Sequence, residues 1–155
     1  MMSLCTTDRQ AQNKTILLVD NEPESVTSYA DVLVNLGYNV IARPDSDSAM
    51  QLFHDRTKID LIITEDIIRG ETGFKFVMLL SRMRPSVPVI MITAHGNIQA
   101  YLRSRSLGVL EYLHKPVGQK ELERIVEYAL QGSSETENTE NLWNEFSLVR
   151  EVMHG

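Results

Sequence analysis

Three stretches of the chain are continuously apolar and stop abruptly at a polar residue. Ile16, Leu17, Leu18 and Val19 run into Asp20; Leu61, Ile62, Ile63 and Thr64 run into Glu65; residues 87–92, interrupted by Pro88, run into Thr93. A strand covered by helices on both faces needs such an unbroken run, whereas a half-solvated strand alternates. Weaker strands are expected at residues 38–42, after Gly37, and 109–113, after Gly108. Between these runs, apolar residues recur at helical spacing: Val26, Tyr29, Ala30 and Leu33; Ala49, Leu52 and Phe53; Phe76, Leu79, Leu80 and Met83; Ile98, Tyr101 and Leu102; Leu122, Ile125, Val126 and Ala129. Asp45 and Asn97 suit N-caps, Pro23 a first helical turn, and Gly37 and Gly132 the stops. Five alternations of strand and helix predict an α/β fold, a doubly wound five-stranded parallel sheet with helices on both faces. Its functional groups should gather outside the carboxyl ends of the strands.

The flanks differ from this core. Residues 1–13 are polar and aperiodic and read as a flexible lead-in to a domain spanning 14–131. Residues 132–141 form an acidic linker, and residues 142–155 a short amphipathic helix with Leu142, Phe146, Val149 and Met153 along one side, widened by Trp143 and Val152. So short a helix is marginal alone in water, so docking on a partner or on a second copy of the chain, as a homodimer, is expected. Packing on its own domain, leading into a further domain and disorder are the alternatives.

Composition narrows the function. In 155 residues, 43% apolar and 23% charged, the chain has the make-up of one ordinary globular domain plus a remainder. Fifteen basic against 21 acidic residues give a net charge of -6, the wrong sign for gripping nucleic acid over a broad face. Most of this charge lies after Gly132, where five acids face one base. The single cysteine, Cys5, precludes an internal disulfide, and no apolar run is long enough to span a bilayer, so a cytoplasmic protein without a membrane partner is expected.

In a parallel sheet Asp20, Glu65, Thr93 and Lys115 all lie at carboxyl ends of strands, or just beyond, and can converge. Carboxylates hold a hard divalent cation, while a hydroxyl and an ammonium bind phosphoryl oxygens. Taken singly, each is also what any strand terminus shows on leaving the core. A nucleotide-binding α/β enzyme is the alternative from another class. Its first turn is unsuited, because residues 21–25 contain no glycine and their acids repel a phosphate. No P-loop, nucleophile elbow or zinc-helix motif occurs, and His54, His95, His114 and His154 are scattered, so no enzyme activity is expected.

The run of residues 15–23, the Thr93-Ala94 step, Lys115-Pro116, and Gly73 eight residues after Glu65 together resemble the receiver domain of two-component response regulators, over about residues 14–131. The resemblance implies a flavodoxin-like, receiver-type fold in which an aspartate ending the third strand accepts a phosphoryl group from a histidine kinase. It implies an acidic pocket for Mg²⁺ at Asp20, Asn21 and Glu22, phosphoryl contacts at Thr93 and Lys115, an aromatic switch at Tyr112, and a cis bond before Pro116. The partners it implies are a sensor histidine kinase, a phosphotransfer protein or an output protein. Tyr101, Arg103 and Arg105, with Tyr112 and His114, form the interaction face it implies; an ordinary solvated helix face is the alternative.

Three positions depart from the family pattern: Glu65 stands at the phosphoacceptor position, Asn21 at the second acidic position, and Arg69 where the family usually has proline. Glutamate is longer than aspartate by one methylene, ~1.5 Å of reach, and phosphoryl transfer depends on positioning. A neutral Asn21 leaves Asp20 and Glu65 as a weakened Mg²⁺ site. The expectation is therefore a phosphorylation-independent interaction module, a pseudo-receiver in which the Glu65 charge near Lys115 and Thr93 imitates part of a phosphoryl group. The alternative is a phosphorylatable receiver using Asp66, or Glu65, with Mg²⁺. For Asp66 to serve, the third strand must slip or bulge by one residue. Otherwise Asp66 is expected to be a solvent-exposed charge at the strand exit, helping Asp20 with a cation.

Overall fold

A computed structural model describes residues 13–68 and 71–131. The elements follow in the order β1 (Thr15–Val19), α1 (Pro23–Asn35), β2 (Asn39–Arg43), α2 (Ser46–His54), β3 (Leu61–Thr64), β4 (Ile67–Ile68), β5 (Glu71–Thr72), α3 (Gly73–Met83), β6 (Val89–Thr93), α4 (Ile98–Ser106), β7 (Glu111–His114) and α5 (Gln119–Gln131). Five strands form one sheet in the order β2-β1-β3-β6-β7, every neighbouring pair parallel. The chain thus winds outward from β1 in one direction and then, through β3, in the other, leaving a crevice at the carboxyl ends of β1 and β3 where the winding reverses.

The unbroken apolar runs are explained by two cores, one on each side of the sheet. Leu17, Val19, Ile62 and Met91 point to one side and pack with Ala49, Leu52 and Phe53 of α2 and Phe74, Phe76, Val77 and Leu80 of α3. Their neighbours Ile16, Leu18, Leu61, Ile63, Ile90 and Ile92 point to the other, against Tyr29 and Leu33 of α1 and Leu122, Val126 and Ala129 of α5. Each fully buried aliphatic side chain contributes about 1.5–3 kcal/mol, so both faces must stay apolar to hold two helical layers.

The helix ends are built from local sequence. Asp45 accepts a hydrogen bond from the Ser48 N–H (2.8 Å) and Asn97 one from the Ala100 N–H (2.9 Å), each capping its helix. Pro23 opens α1, where its missing N–H costs nothing, and Gly37 follows its end with φ 97°.

The two weaker strands are shifted toward the carboxyl edge relative to expectation, because the pairing of β2 begins at Asn39 opposite Thr15 and that of β7 at Glu111 opposite Ile90. Leu79 and Met83 do not join the buried side of α3 and are 39% and 42% exposed; Phe74 and Val77 take that side with Phe76 and Leu80. On α4, Ile98 and Leu102 are 72% and 56% exposed, because this helix rests on the sheet through Ala100, Tyr101 and Ser104. A small antiparallel hairpin of β4 and β5, pairing Ile67 with Thr72 and Ile68 with Glu71, follows β3 and was not foreseen. No helix among the described residues is long and apolar enough to cross a membrane. Residues 1–12 of the lead-in, Arg69, Gly132, the acidic linker and the amphipathic segment 142–155 lie outside the described residues.

Candidate functional site

The site lies at the carboxyl edge of β1, β3, β6 and β7. Backbone bonds carry the sheet one residue past its formal ends: the Glu65 N–H donates to the Val19 carbonyl, the Asp20 N–H to Arg43, and the Lys115 N–H to Thr93. Asp20, Glu65 and Lys115 are therefore held in register although up to 95 residues separate them.

Lys115 is the centre of one half of the site. Its Nζ lies 2.7 Å from Asp20 Oδ2, 2.9 Å from Glu65 Oε2 and 3.4 Å from Glu22 Oε2. The Lys115, Asp20 and Glu65 side chains are only 10%, 4% and 7% exposed, whereas Glu22 is half in solvent. The remaining oxygens are also engaged. Asp20 Oδ1 accepts from the Glu22 N–H (2.9 Å), and Glu65 Oε1 from the Asp66 N–H (2.9 Å). Burial disfavours the ammonium, but the Asp20 and Glu65 carboxylates outweigh it and raise the Lys115 pKa. Burial pushes the Glu65 pKa up, the adjacent Asp66 side chain adds to this, and Lys115 opposes it.

Asp66 organises the other half. Thr93 Oγ1 donates to Asp66 Oδ1 at 2.5 Å, and the Tyr112 hydroxyl donates to Asp66 Oδ2 at 3.1 Å. Thr93 in turn accepts from the His95 N–H at 3.0 Å. Asp66, Thr93 and Tyr112 are 4%, 0% and 3% exposed. Burial alone would raise the Asp66 pKa, yet its interactions with Glu65, Thr93 and Tyr112, the last two donating hydroxyl hydrogen bonds, hold it below the usual carboxylate range. The Tyr112 phenol is pushed up by burial and by the Asp66 charge.

Three expectations are corrected here. Asp66 is not a solvent-exposed charge; it is buried under Thr93 and Tyr112. It reaches them without any slip of β3, whose register with β1 runs unbroken from Ile16↔Leu61 to Val19↔Thr64. The alternation of side chains belongs to the strand, and beyond Thr64 the chain bends, so Glu65 and Asp66 both turn into the crevice. Glu65 meets Lys115 but not Thr93, whose hydroxyl is taken by Asp66. Glu22 turns toward Lys115.

The bend depends on Gly73, whose N–H donates to the Asp66 carbonyl at 2.6 Å. A Cβ there would lie 2.3 Å from the Glu65 carbonyl oxygen and 3.3 Å from Asp66 Cα. The spacing of eight from Glu65 to Gly73 is thus a close backbone approach that only glycine fits. The Lys115-Pro116 bond is cis.

Tyr101 of α4 and His114 of β7 flank Tyr112. Its ring meets Tyr101 edge-on at 6.2 Å and His114 at 5.9 Å. Arg105 donates to the Tyr101 hydroxyl at 3.4 Å, and the Arg103 guanidinium lies 5.1 Å from the Phe74 ring centroid. A Cβ on Gly96 would come within 2.9 Å of the Tyr112 hydroxyl, so the β6–α4 loop closes directly over it.

The donors as arranged are unfavourable to a divalent cation. The Lys115 ammonium occupies the gap between Asp20 and Glu65, Asn21 offers no charge, and no group of three acidic, histidine or cysteine side chains suited to a metal occurs among the described residues.

Comparison with known proteins gives this geometry its context. The chain is 32% identical over 126 residues to the transcriptional regulatory protein CpxR of Escherichia coli, covering 81% of this chain and 53% of that protein. It is 31% identical over 118 residues to the nitrogen assimilation regulatory protein NtrX of Azorhizobium caulinodans, covering 75% and 26%. The chain therefore spans about a quarter to a half of the length of these relatives. Among solved structures, the receiver domain of NtrX from Brucella abortus superposes with a TM-score of 0.71 at 28% identity over 76% of this chain and 99% of that one. A CheY-like receiver domain protein from Methanospirillum hungatei shares the fold with a TM-score of 0.72 at 21% identity over 76% and 94%. The family model for the response regulator receiver domain matches residues 16–127, so the chain belongs to the response regulator receiver domain family of two-component signalling.

Proposed function

We propose that this receiver domain works as a phosphorylation-independent signalling module, relaying information by protein contact, with Glu65 as a built-in partial substitute for a phosphoryl group. The observation that carries this reading is the buried Glu65–Lys115 ion pair at 2.9 Å. The lysine expected to hold a phosphoryl oxygen already holds a carboxylate, and the same ammonium closes the acidic pocket through Asp20. A Mg²⁺ site thus weakened does not support acyl-phosphate formation. Tyr101, Arg103, Arg105 and His114, around the buried Tyr112 ring, present the surface read by a protein partner, whether kinase, phosphotransfer protein or output protein. CpxR is named as a transcriptional regulatory protein, and in a full-length protein of that kind the module would act on an attached output function.

A second reading has one observation in its favour. Asp66 is a charged carboxylate under Thr93, where a phosphoryl acceptor would lie in reach of the hydroxyl. Intact-mass analysis after incubation with acetyl phosphate, with and without Mg²⁺, separates the two. The proposal expects no added phosphoryl mass under either condition, and a base-labile adduct on Glu65 or Asp66 would overturn it.

A further inference from the structure

We infer that Asp66 is the second half of the built-in substitute and the positioning residue that sets Tyr112, so that Glu65 and Asp66 divide between them the contacts one phosphoryl group would make. The inference deepens the reading above and rests on it. Glu65 engages only the Lys115 side of the crevice, whereas the Thr93 and Tyr112 hydroxyls both donate to Asp66.

Charge and acceptor number agree with this division. A phosphoryl group carries about -1.5 to -2 charge and three strong acceptor oxygens. One carboxylate falls short on both counts, but two adjacent carboxylates offer up to two charges and four oxygens. One oxygen of each faces Lys115 or Thr93, and a third reaches Tyr112. The pair belongs to consecutive residues whose backbone is clamped by Gly73, so their relative placement is fixed by the chain itself.

The consequence reaches the surface through Tyr112. Asp66 draws the phenol inward, where the ring packs against Tyr101 of α4 and His114 of β7 under Gly96. Without that acceptor, the buried hydroxyl would lose its charge-assisted bond and be left with neutral neighbours, so the ring would be held less firmly. The orientation of α4, and with it Arg103 and Arg105, is thus governed by Asp66 and not by Glu65.

The test uses the full chain and three variants: Asp66→Asn, Glu65→Gln and Tyr112→Phe. Tyrosine ring resonances and amide hydrogen exchange are read by NMR. Asp66→Asn should weaken ring contacts from Tyr112 to Tyr101 and His114, accelerate exchange across α4 several-fold, and lower the pH at which the Tyr112 phenol ionises. Tyr112→Phe removes outright the hydrogen bond that Asp66→Asn only weakens, and should reproduce the α4 effect with Asp66 intact. Glu65→Gln should leave both Tyr112 and α4 as they are. Equal effects of Glu65→Gln and Asp66→Asn on Tyr112, or unchanged ring contacts and exchange in both Asp66→Asn and Tyr112→Phe, would overturn the assignment. Phosphorylation of the unaltered chain would instead overturn the reading on which it rests, and is detected separately by mass.

Discussion

Lys115→Met is the substitution that most directly probes the crevice. It removes the only ammonium facing Asp20, Glu65 and Glu22 among the described contacts while keeping most of the side-chain volume. Glu22 is half exposed at 3.4 Å and contributes little, as for any surface pair, at most ~1 kcal/mol. Asp20 and Glu65, at 4% and 7% exposure, are left as adjacent buried carboxylates without a cation. Breaking a buried pair costs about 3–5 kcal/mol. Both acids keep one backbone N–H, from Glu22 and Asp66 respectively, so the expected loss is toward the lower end, about 3 kcal/mol. In a domain of this size that lowers the melting temperature by roughly 10–15 °C.

Urea denaturation at pH 7 measures the loss, and Lys115→Met/Glu65→Gln should recover about 1–2 kcal/mol by neutralising one stranded charge. The pH dependence has a definite sign. Lys115 opposes the rise of the Glu65 pKa, so its removal raises that pKa further. Proton uptake by the folded state then reduces the penalty as pH falls from 7 toward 5. A loss below ~1 kcal/mol, the value for a solvated pair, would refute the claim that the cluster is desolvated. So would a penalty that grows on acidification.

Two further substitutions test how local sequence places the site. Gly73→Ala drives a methyl group into the Glu65 carbonyl and should cost about 1–3 kcal/mol or more in urea unfolding, because the obstacle is backbone and cannot rotate away. Asn97→Ala removes the cap from the Ala100 N–H and should cost ~1 kcal/mol, seen first as faster hydrogen exchange in the first turn of α4.

The sequence made the frame legible because a doubly covered parallel sheet leaves an unmistakable trace. Runs such as Ile16 to Val19 and Leu61 to Thr64 are apolar at every position because alternate residues feed two separate cores. The polar residues that end those runs are the ones that converge. The exit from β3 was harder to read. Period-two alternation predicts that Glu65 and Asp66 face opposite ways, but the rule lapses where the strand ends, and neighbouring residues on a bend share one crevice. A signal existed in the close spacing of Ile67-Ile68 and Glu71-Thr72 with a glycine between them, the pattern of a tight hairpin that turns the chain back. The helical faces of α3 and α4 were misplaced for a related reason. Periodicity shows that a stripe exists, while the angle at which a helix meets the sheet decides whether Leu79, Met83, Ile98 or Leu102 lies inside it.

The two carboxylates also respond differently to acid, which makes the halves of the crevice separable in solution. Glu65 has a raised pKa, so the stability linked to its protonation is fully present below the ordinary glutamate value, about 4.3, and is lost as pH rises through the folded value. Asp66 has a lowered pKa, so its contribution is present above the ordinary aspartate value, about 3.9, and is lost as pH falls through the folded value. Acidification from neutrality should therefore protonate Glu65 first and loosen it from Lys115, which keeps Asp20, while Asp66 still holds Thr93 and Tyr112. Stability measured in urea should rise modestly as pH falls from 7 toward Glu65's ordinary value, then fall once Asp66 protonates. Glu65→Gln should abolish the first limb and leave the second, and Asp66→Asn the reverse. A single acid transition unaffected by Glu65→Gln would show that the two carboxylates do not titrate in this order, because the hydroxyl donors on Asp66 and the burial of Glu65 are what set them apart.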